Sequence, residues 1–250
     1  MPPKTIGPSI GSRLAPARTG LFRHSIAWFL AAIAGLFIVT PWTEMLPNGH
    51  WIASIIVTVS LVAAVLAVGG AWIHNLTAGI LVTPVVIGWW LQHHRSDGFP
   101  VLLFGTTLLT FISYVIARFI LFILTSPKVN SEVLSAGIVT YLMLAVWWST
   151  AYSLVGLLVP NSFGGLPAHV HRLYGFDALY FSVTTLTTVG YGEILPLSMP
   201  ARMLAMMEAL CGTLYVAVFV ARLVSLNTSL SPVVHGGIQP NPDPRPEDVP

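Results

Sequence analysis

Long apolar runs, broken by short polar clusters, dominate the chain. A membrane-spanning helix needs about 20 mostly apolar residues. Six runs approach that length: 25–40, 52–73, 76–91, 101–124, 133–159 and 201–226. The third contains Pro84, which removes a backbone donor and predicts a kinked or tilted helix. Between the fifth and sixth runs lie a loop and then a shorter apolar segment, 177–186, too short to span. Irregular backbone at membrane depth is tolerated only where it is buried or lines a water-filled cavity. A short helix followed by a loop at this place therefore predicts a re-entrant element.

The polar ends frame these runs. Residues 1–24 hold Lys4, Arg13, Arg18 and Arg23 and no acid, which predicts a cytoplasmic N-terminal tail. Six spans then return the C-terminus to the cytoplasm. Its last stretch, 228–250, carries Pro240, Pro242, Pro244, Pro246 and Pro250 and predicts a disordered or extended tail. Lys128 falls inside, while Glu44, Asp97, Asp177 and Glu193 fall outside; Arg95 and Arg172 run against this bias. Trp42, Trp51, Trp89 and Trp90 sit where an outer aromatic belt belongs, whereas Trp147 and Trp148 fall mid-span and predict helix packing. The expected units are the tail 1–24, a four-span domain 25–130, a second membrane domain 131–227 and the tail 228–250. No cleavable leader is expected ahead of the first run.

Composition agrees: 55% of residues are hydrophobic and 8% charged, against about 25% charged in a soluble globular chain. A polytopic protein of the cell membrane follows. The single cysteine, Cys211, lies in an apolar run, so no disulfide framework exists. No metal-ligand cluster, phosphate loop or nucleophile triad stands out, so no enzyme activity, organic cofactor or nucleic-acid partner is expected.

One string departs from ordinary loop chemistry: Thr187-Thr188-Val189-Gly190-Tyr191-Gly192-Glu193. Glycine lacks a Cβ and visits positive φ readily, so Gly190 and Gly192 permit alternating backbone conformations. The string resembles the selectivity filter of the tetrameric potassium channel family. The resemblance extends over about 133–226, as outer helix, turret loop, pore helix, filter and inner helix. It implies an all-α membrane protein with six transmembrane helices, a re-entrant pore helix and a filter loop, assembled as a homotetramer around a central pore in the lipid bilayer. It implies rings of backbone carbonyls from Thr188, Val189, Gly190, Tyr191 and Gly192 that replace the hydration shell of K+, the permeant ion and sole small-molecule substrate. Val189 and Tyr191 would pack behind the filter, and Thr188 could add its hydroxyl.

Around the filter, Tyr180-Phe181-Ser182-Val183-Thr184-Thr185 looks like the family's pore helix, and Asp177 lies in its first turn, where a carboxylate suits the helix dipole. Thr184 stands where some members place a glutamate, and Thr187 precedes the filter proper. Glu193 replaces the usual aspartate; the charge stays, but the longer side chain puts the hydrogen bonds behind the filter in question. Gly212 lies where inner helices often carry a hinge glycine. On that alignment Thr213, Val216 and Val220 share a cavity face, with Ala221 and Val224 near the bundle crossing.

Glu208 sits within the sixth run, where a carboxylate costs roughly 2–3 kcal/mol or more and turns to protein or water. A hydrogen-bonded brace against the pore helix is the expected role. The first four runs lack the chemistry of a voltage sensor. One charge moved across the membrane yields only about 2.3 kcal/mol per 100 mV, so a sensor needs several, and run 101–124 holds only Arg118. Arg118 is read as snorkelling to the cytoplasmic interface. His93 and His94, near Asp97, and His74 are read as solvated positions. The competing functions are a non-selective cation channel on the same scaffold and a potassium transporter, which would carry four pore loops per chain. Arg118→Gln is expected to leave any voltage dependence of conduction nearly unchanged; a large shift of the midpoint would restore a sensor role to this helix.

Overall fold

The computed structural model describes residues 20–46, 49–68, 72–94, 98–166 and 172–228. The elements run α1 (Gly20–Met45), α2 (Gly49–Ala67), α3 (Trp72–His94), α4 (Gly98–Thr125), α5 (Ser131–Leu158), β1 (Phe163–Gly164), α6 (Gly175–Leu186), β2 (Leu195–Pro196) and α7 (Met199–Thr228). The tail assignments lie almost wholly outside the described residues, as do Arg95, Asp97 and the side chains of Arg23, Glu44, His74, Trp90, His93 and His94.

Four helices are long and apolar enough to cross a membrane, over Ser25–Thr43, Val101–Thr125, Ser131–Leu158 and Met199–Ser225. Two further apolar stretches, Trp51–Ala67 and Leu76–Trp89, are shorter. The expected span 52–73 stops at Ala67, and the next helix begins at Trp72. The sequence between them includes Gly69 and Gly70, the poorest helix formers after proline. Conversely, α1 does not end at residue 40 but continues through Pro41 to Met45. Packing on α2, with Thr43 buried, outweighs the missing proline donor.

Helix α5 organises the molecule. It packs against α1 and α4 on one side and against α6 and α7 on the other. Asn130 caps its start, with Oδ1 accepting the Val133 amide at 2.9 Å. Buried positions 133, 136, 140, 144, 148 and 151 recur every three to four residues, the period of one helical stripe. Trp147 donates its Nε1 hydrogen to Ser113 Oγ of α4 at 2.9 Å and meets Trp148 edge to face at 4.8 Å, the packing role expected of both.

A two-residue antiparallel ladder, Phe163 with Pro196 and Gly164 with Leu195, ties the loop after α5 to the segment before α7. Nothing in the apolar pattern announced it. The Leu197 amide extends the tie, donating to Ser162 O at 2.8 Å. Gly165, at φ 80°, lies so close that a Cβ would come within 1.6 Å of the Glu193 carbonyl oxygen.

Helices α6 and α7 also approach backbone to backbone. A Cβ on Gly212 would lie 2.2 Å from the Leu186 carbonyl oxygen, so a glycine is needed here for closeness. Gly212→Ala should therefore destabilise by about 1–3 kcal/mol through overpacking, read as a lower unfolding midpoint in detergent; an unchanged midpoint would mean that the two helices do not meet there.

Candidate functional site

The site grows from the end of α6. The helix starts after Tyr174, carries Asp177 in its first turn and reaches Leu186. Thr187 is still right-handed, at φ −83° and ψ 0°, and Thr188 turns the chain out at φ 60°. The amides of the departing loop nevertheless fold back onto the last turn. Thr187 donates to Val183 O at 3.0 Å, Thr188 to Thr185 O at 3.0 Å, and Val189 and Gly190 both donate to Thr184 O, at 2.8 and 3.1 Å. The Thr187 hydroxyl adds a bond to Val183 O at 2.6 Å, and the Thr184 hydroxyl one to Phe181 O at 3.1 Å. Thr184 thus supports the loop through its backbone carbonyl.

Positive φ recurs at every second residue: Thr188 at 60°, Gly190 at 51° and Gly192 at 89°, with Val189 and Tyr191 between them outside that region. The glycines adopt it freely. A non-glycine residue pays about 1–2 kcal/mol there, and a β-branched one is a genuine outlier. The strain at Thr188 is not legible in the residue order, because its backbone is held by the bonds just described rather than by its own preference.

This alternation leaves a row of unmatched acceptors. Among the described residues, no hydrogen bond reaches the backbone carbonyls from Thr187 to Gly192. An unpaired backbone polar group away from water costs about as much as a lost hydrogen bond, so these oxygens call for a partner beyond the described residues. The side chains of Val189 and Tyr191 are exposed in the single chain. Tyr191 stacks on Tyr180, with centroids 6.4 Å apart and planes 3° from parallel. The Tyr180 hydroxyl donates to Glu193 Oε1. That bond, with smaller contributions from burial and the nearby charge, pushes the Tyr180 hydroxyl up to about 12, so it stays a donor at neutral pH. Despite its extra methylene, Glu193 does make a hydrogen bond behind the loop.

Glu208 of α7 is fully buried and meets two other helices. Tyr152 of α5 donates its hydroxyl to Oε2. Ser182 of α6 lies 2.5 Å from Oε1, and its Oγ also lies 2.8 Å from the Ala145 carbonyl oxygen of α5. The Tyr152 ring, Phe163 and Phe181 meet one another edge to face, with centroids 4.9 to 5.8 Å apart. Tyr152 and Ser182 were not singled out in the sequence. A lone hydroxyl in an apolar helix is a weak signal until its partner is known.

The other inner-helix positions divide by face. Thr213, Val216, Val220, Ala221 and Val224 are exposed on the single chain, whereas Gly212 is buried against α6. Toward the far end of α7, Tyr215 donates to Gly137 O at 2.7 Å. Arg222 donates through Nη2 to Leu124 O and Ser126 O at 2.7 and 3.1 Å, capping the C-terminus of α4. A cation suits the negative end of a helix, and the bond joins the first four helices to α7. Arg118 is half-buried, and its Nε has no hydrogen-bond partner among the described residues. No group of three or more His, Cys, Asp or Glu stands ready for a metal among the described residues.

A family model described as "Ion channel" matches residues 101–229, the stretch from α4 to α7. No curated protein matches the chain. The Tyr180–Glu193 bond makes one structural demand. Tyr180→Phe and Glu193→Gln should each raise amide hydrogen exchange across 188–194, and the double variant should raise it no further; additive effects would mean that the two side chains act separately.

Proposed function

The chain belongs to the ion channel family, and from that premise we propose that it is a potassium-selective channel, conducting K+ passively through a homotetrameric pore. The observation that carries this is the loop 187–192: positive φ at 188, 190 and 192, with six consecutive carbonyls that accept nothing from the described residues of their own chain. Successive peptide planes turned in this alternating way stack their oxygens along one line. Four copies about an axis make rings that replace the water around a dehydrated K+. Thr188, Val189, Gly190, Tyr191 and Gly192 supply the carbonyls. Thr184, Thr187 and the Tyr180–Glu193 pair hold the loop from behind, and Asp177 begins the pore helix, α6.

The tetramer is supported by what a single chain leaves uncovered. Only 11% of the apolar window of α7 is buried, against 44% for α5. Exposed apolar surface alone suits lipid as well as protein, but the unmatched carbonyls do not. A loop of this kind must be enclosed by other copies. Thr213, Val216 and Val220 then face a water-filled cavity, with Ala221 and Val224 lower down the inner helix. Six spans, cytoplasmic termini and residence in the cell membrane complete the proposal. Gating by voltage is not part of it, since Arg118 is the only charged residue of α4. The Arg222 cap offers the first four helices a mechanical hold on the inner helix instead.

Purified protein in a planar bilayer, with potassium on one side and sodium on the other, tests this. A reversal potential near the potassium equilibrium value is expected, and Gly190→Ala should abolish either selectivity or conduction. Equal permeability to the two ions would replace this proposal with a non-selective cation channel; unchanged selectivity in Gly190→Ala would remove the loop from the pore.

A further inference from the structure

We propose that Glu208 carries its own proton and, as a neutral carboxylic acid, pins the inner helix α7 to the pore helix α6. Counting hydrogens leads there. Three oxygen–oxygen contacts meet at this cluster: Tyr152 Oη with Glu208 Oε2, Ser182 Oγ with Glu208 Oε1 at 2.5 Å, and Ser182 Oγ with Ala145 O at 2.8 Å. Each needs one hydrogen. Tyr152 supplies one and Ser182 supplies one, since a hydroxyl donates only once. An ionised carboxylate and a backbone carbonyl donate none, so an ionised Glu208 leaves two oxygens facing each other at hydrogen-bond distance with nothing between them. A proton on Oε1 completes the set: Oε1–H donates to Ser182 Oγ, Ser182 donates to Ala145 O, and Tyr152 donates to Oε2.

The surroundings agree with a neutral group. Glu208 is 0% exposed. An ionised carboxylate buried this way needs a cation or several donors. No basic side chain pairs with it among the described residues; the titratable groups near it are Tyr152 and Tyr141 of α5 and Cys211 of α7 itself. From α6 it meets only the Ser182 hydroxyl. Ser182 lies one half-turn before Thr184, whose carbonyl receives the amides of Val189 and Gly190. Glu208 is thus a positioning residue. It touches no ion, but it fixes the register between the helix that carries the filter and the helix that would move in gating.

The test compares wild type, Glu208→Gln, Glu208→Ala and Ser182→Ala in lipid nanodiscs and in planar bilayers. Infrared spectra should show a protonated-carboxyl C=O band at neutral pH that is missing in Glu208→Gln and shifted in Ser182→Ala. Glutamine reproduces the hydrogen pattern, with its amide donating to Ser182 and its oxygen accepting from Tyr152, so it should rescue the potassium-over-sodium preference that Glu208→Ala loses. Loss of carboxylate bands only in Glu208→Gln, or loss of selectivity as complete as in Glu208→Ala, would overturn the proposal. Should Glu208→Ala fail to assemble, the infrared band and the glutamine variant still decide. The conduction readout rests on the potassium-channel proposal, whereas the infrared readout does not; a wild type that fails to select potassium would sink that function and leave the proton assignment standing on its band.

Discussion

Six successive carbonyls that accept no hydrogen bond from the described residues, from Thr187 to Gly192, set the terms for the rest of the molecule. Folding ordinarily pairs backbone groups with each other, because an unpaired one away from water costs about as much as a lost hydrogen bond. Here the amides of Thr187, Thr188, Val189 and Gly190 are paired with the last turn of α6, and the carbonyls are left over. The loop is therefore polarised. Its first four amides are consumed by α6, and its carbonyls are left without a partner among the described residues.

Holding such a loop requires a rigid surround, and most of the remaining structure supplies it. On one side, Tyr180 stacks on Tyr191 and hydrogen-bonds Glu193. On the other, the β1–β2 ladder and the Ser162 carbonyl fasten the chain just after the loop. Beneath it, α6 is pressed onto α7 at Gly212 and linked to α5 and α7 through Ser182, Tyr152 and Glu208. The strain at Thr188, φ 60° in a β-branched residue, persists because these contacts over-determine it. Pre-organisation of this kind places the cost of the loop's geometry in folding, where the packed helices offset it.

The first four helices stand apart from this surround but are not detached from it. Of these, α1 and α4 pack against α5, and α4 ends on the guanidinium of Arg222. A single arginine bridging a helix C-terminus to α7 is a compact way to let one helical group bias another. Arg118 is the only charged residue of α4, and the end of that helix is tied to α7.

Much of this was legible in the residue order, and the rest was not, for a physical reason in each case. Apolar runs and the proline-rich tail are properties of composition, so the membrane character, the helices α4, α5 and α7 and the short helix α6 could be read directly. The filter string is a local conformational demand met by glycine, so its place and its two permissive positions were legible too. Helix ends were less so: α1 runs past Pro41, where packing on α2 outweighs the lost donor, and α2 stops at Ala67, ahead of Gly69 and Gly70. Thr188 in the left-handed region, the β1–β2 tie, the Arg222 cap and the identities of Tyr152 and Ser182 were legible only in the tertiary structure. Each depends on a partner 3 to 98 residues away, and no local pattern encodes what a distant carbonyl or carboxyl will meet. Sequence alone determined the apolar runs and the placing of glycine at 190 and 192. The packing of α5, α6 and α7 decided what holds their loop still, since a strained loop keeps its shape only while the elements behind it leave it nowhere else to go.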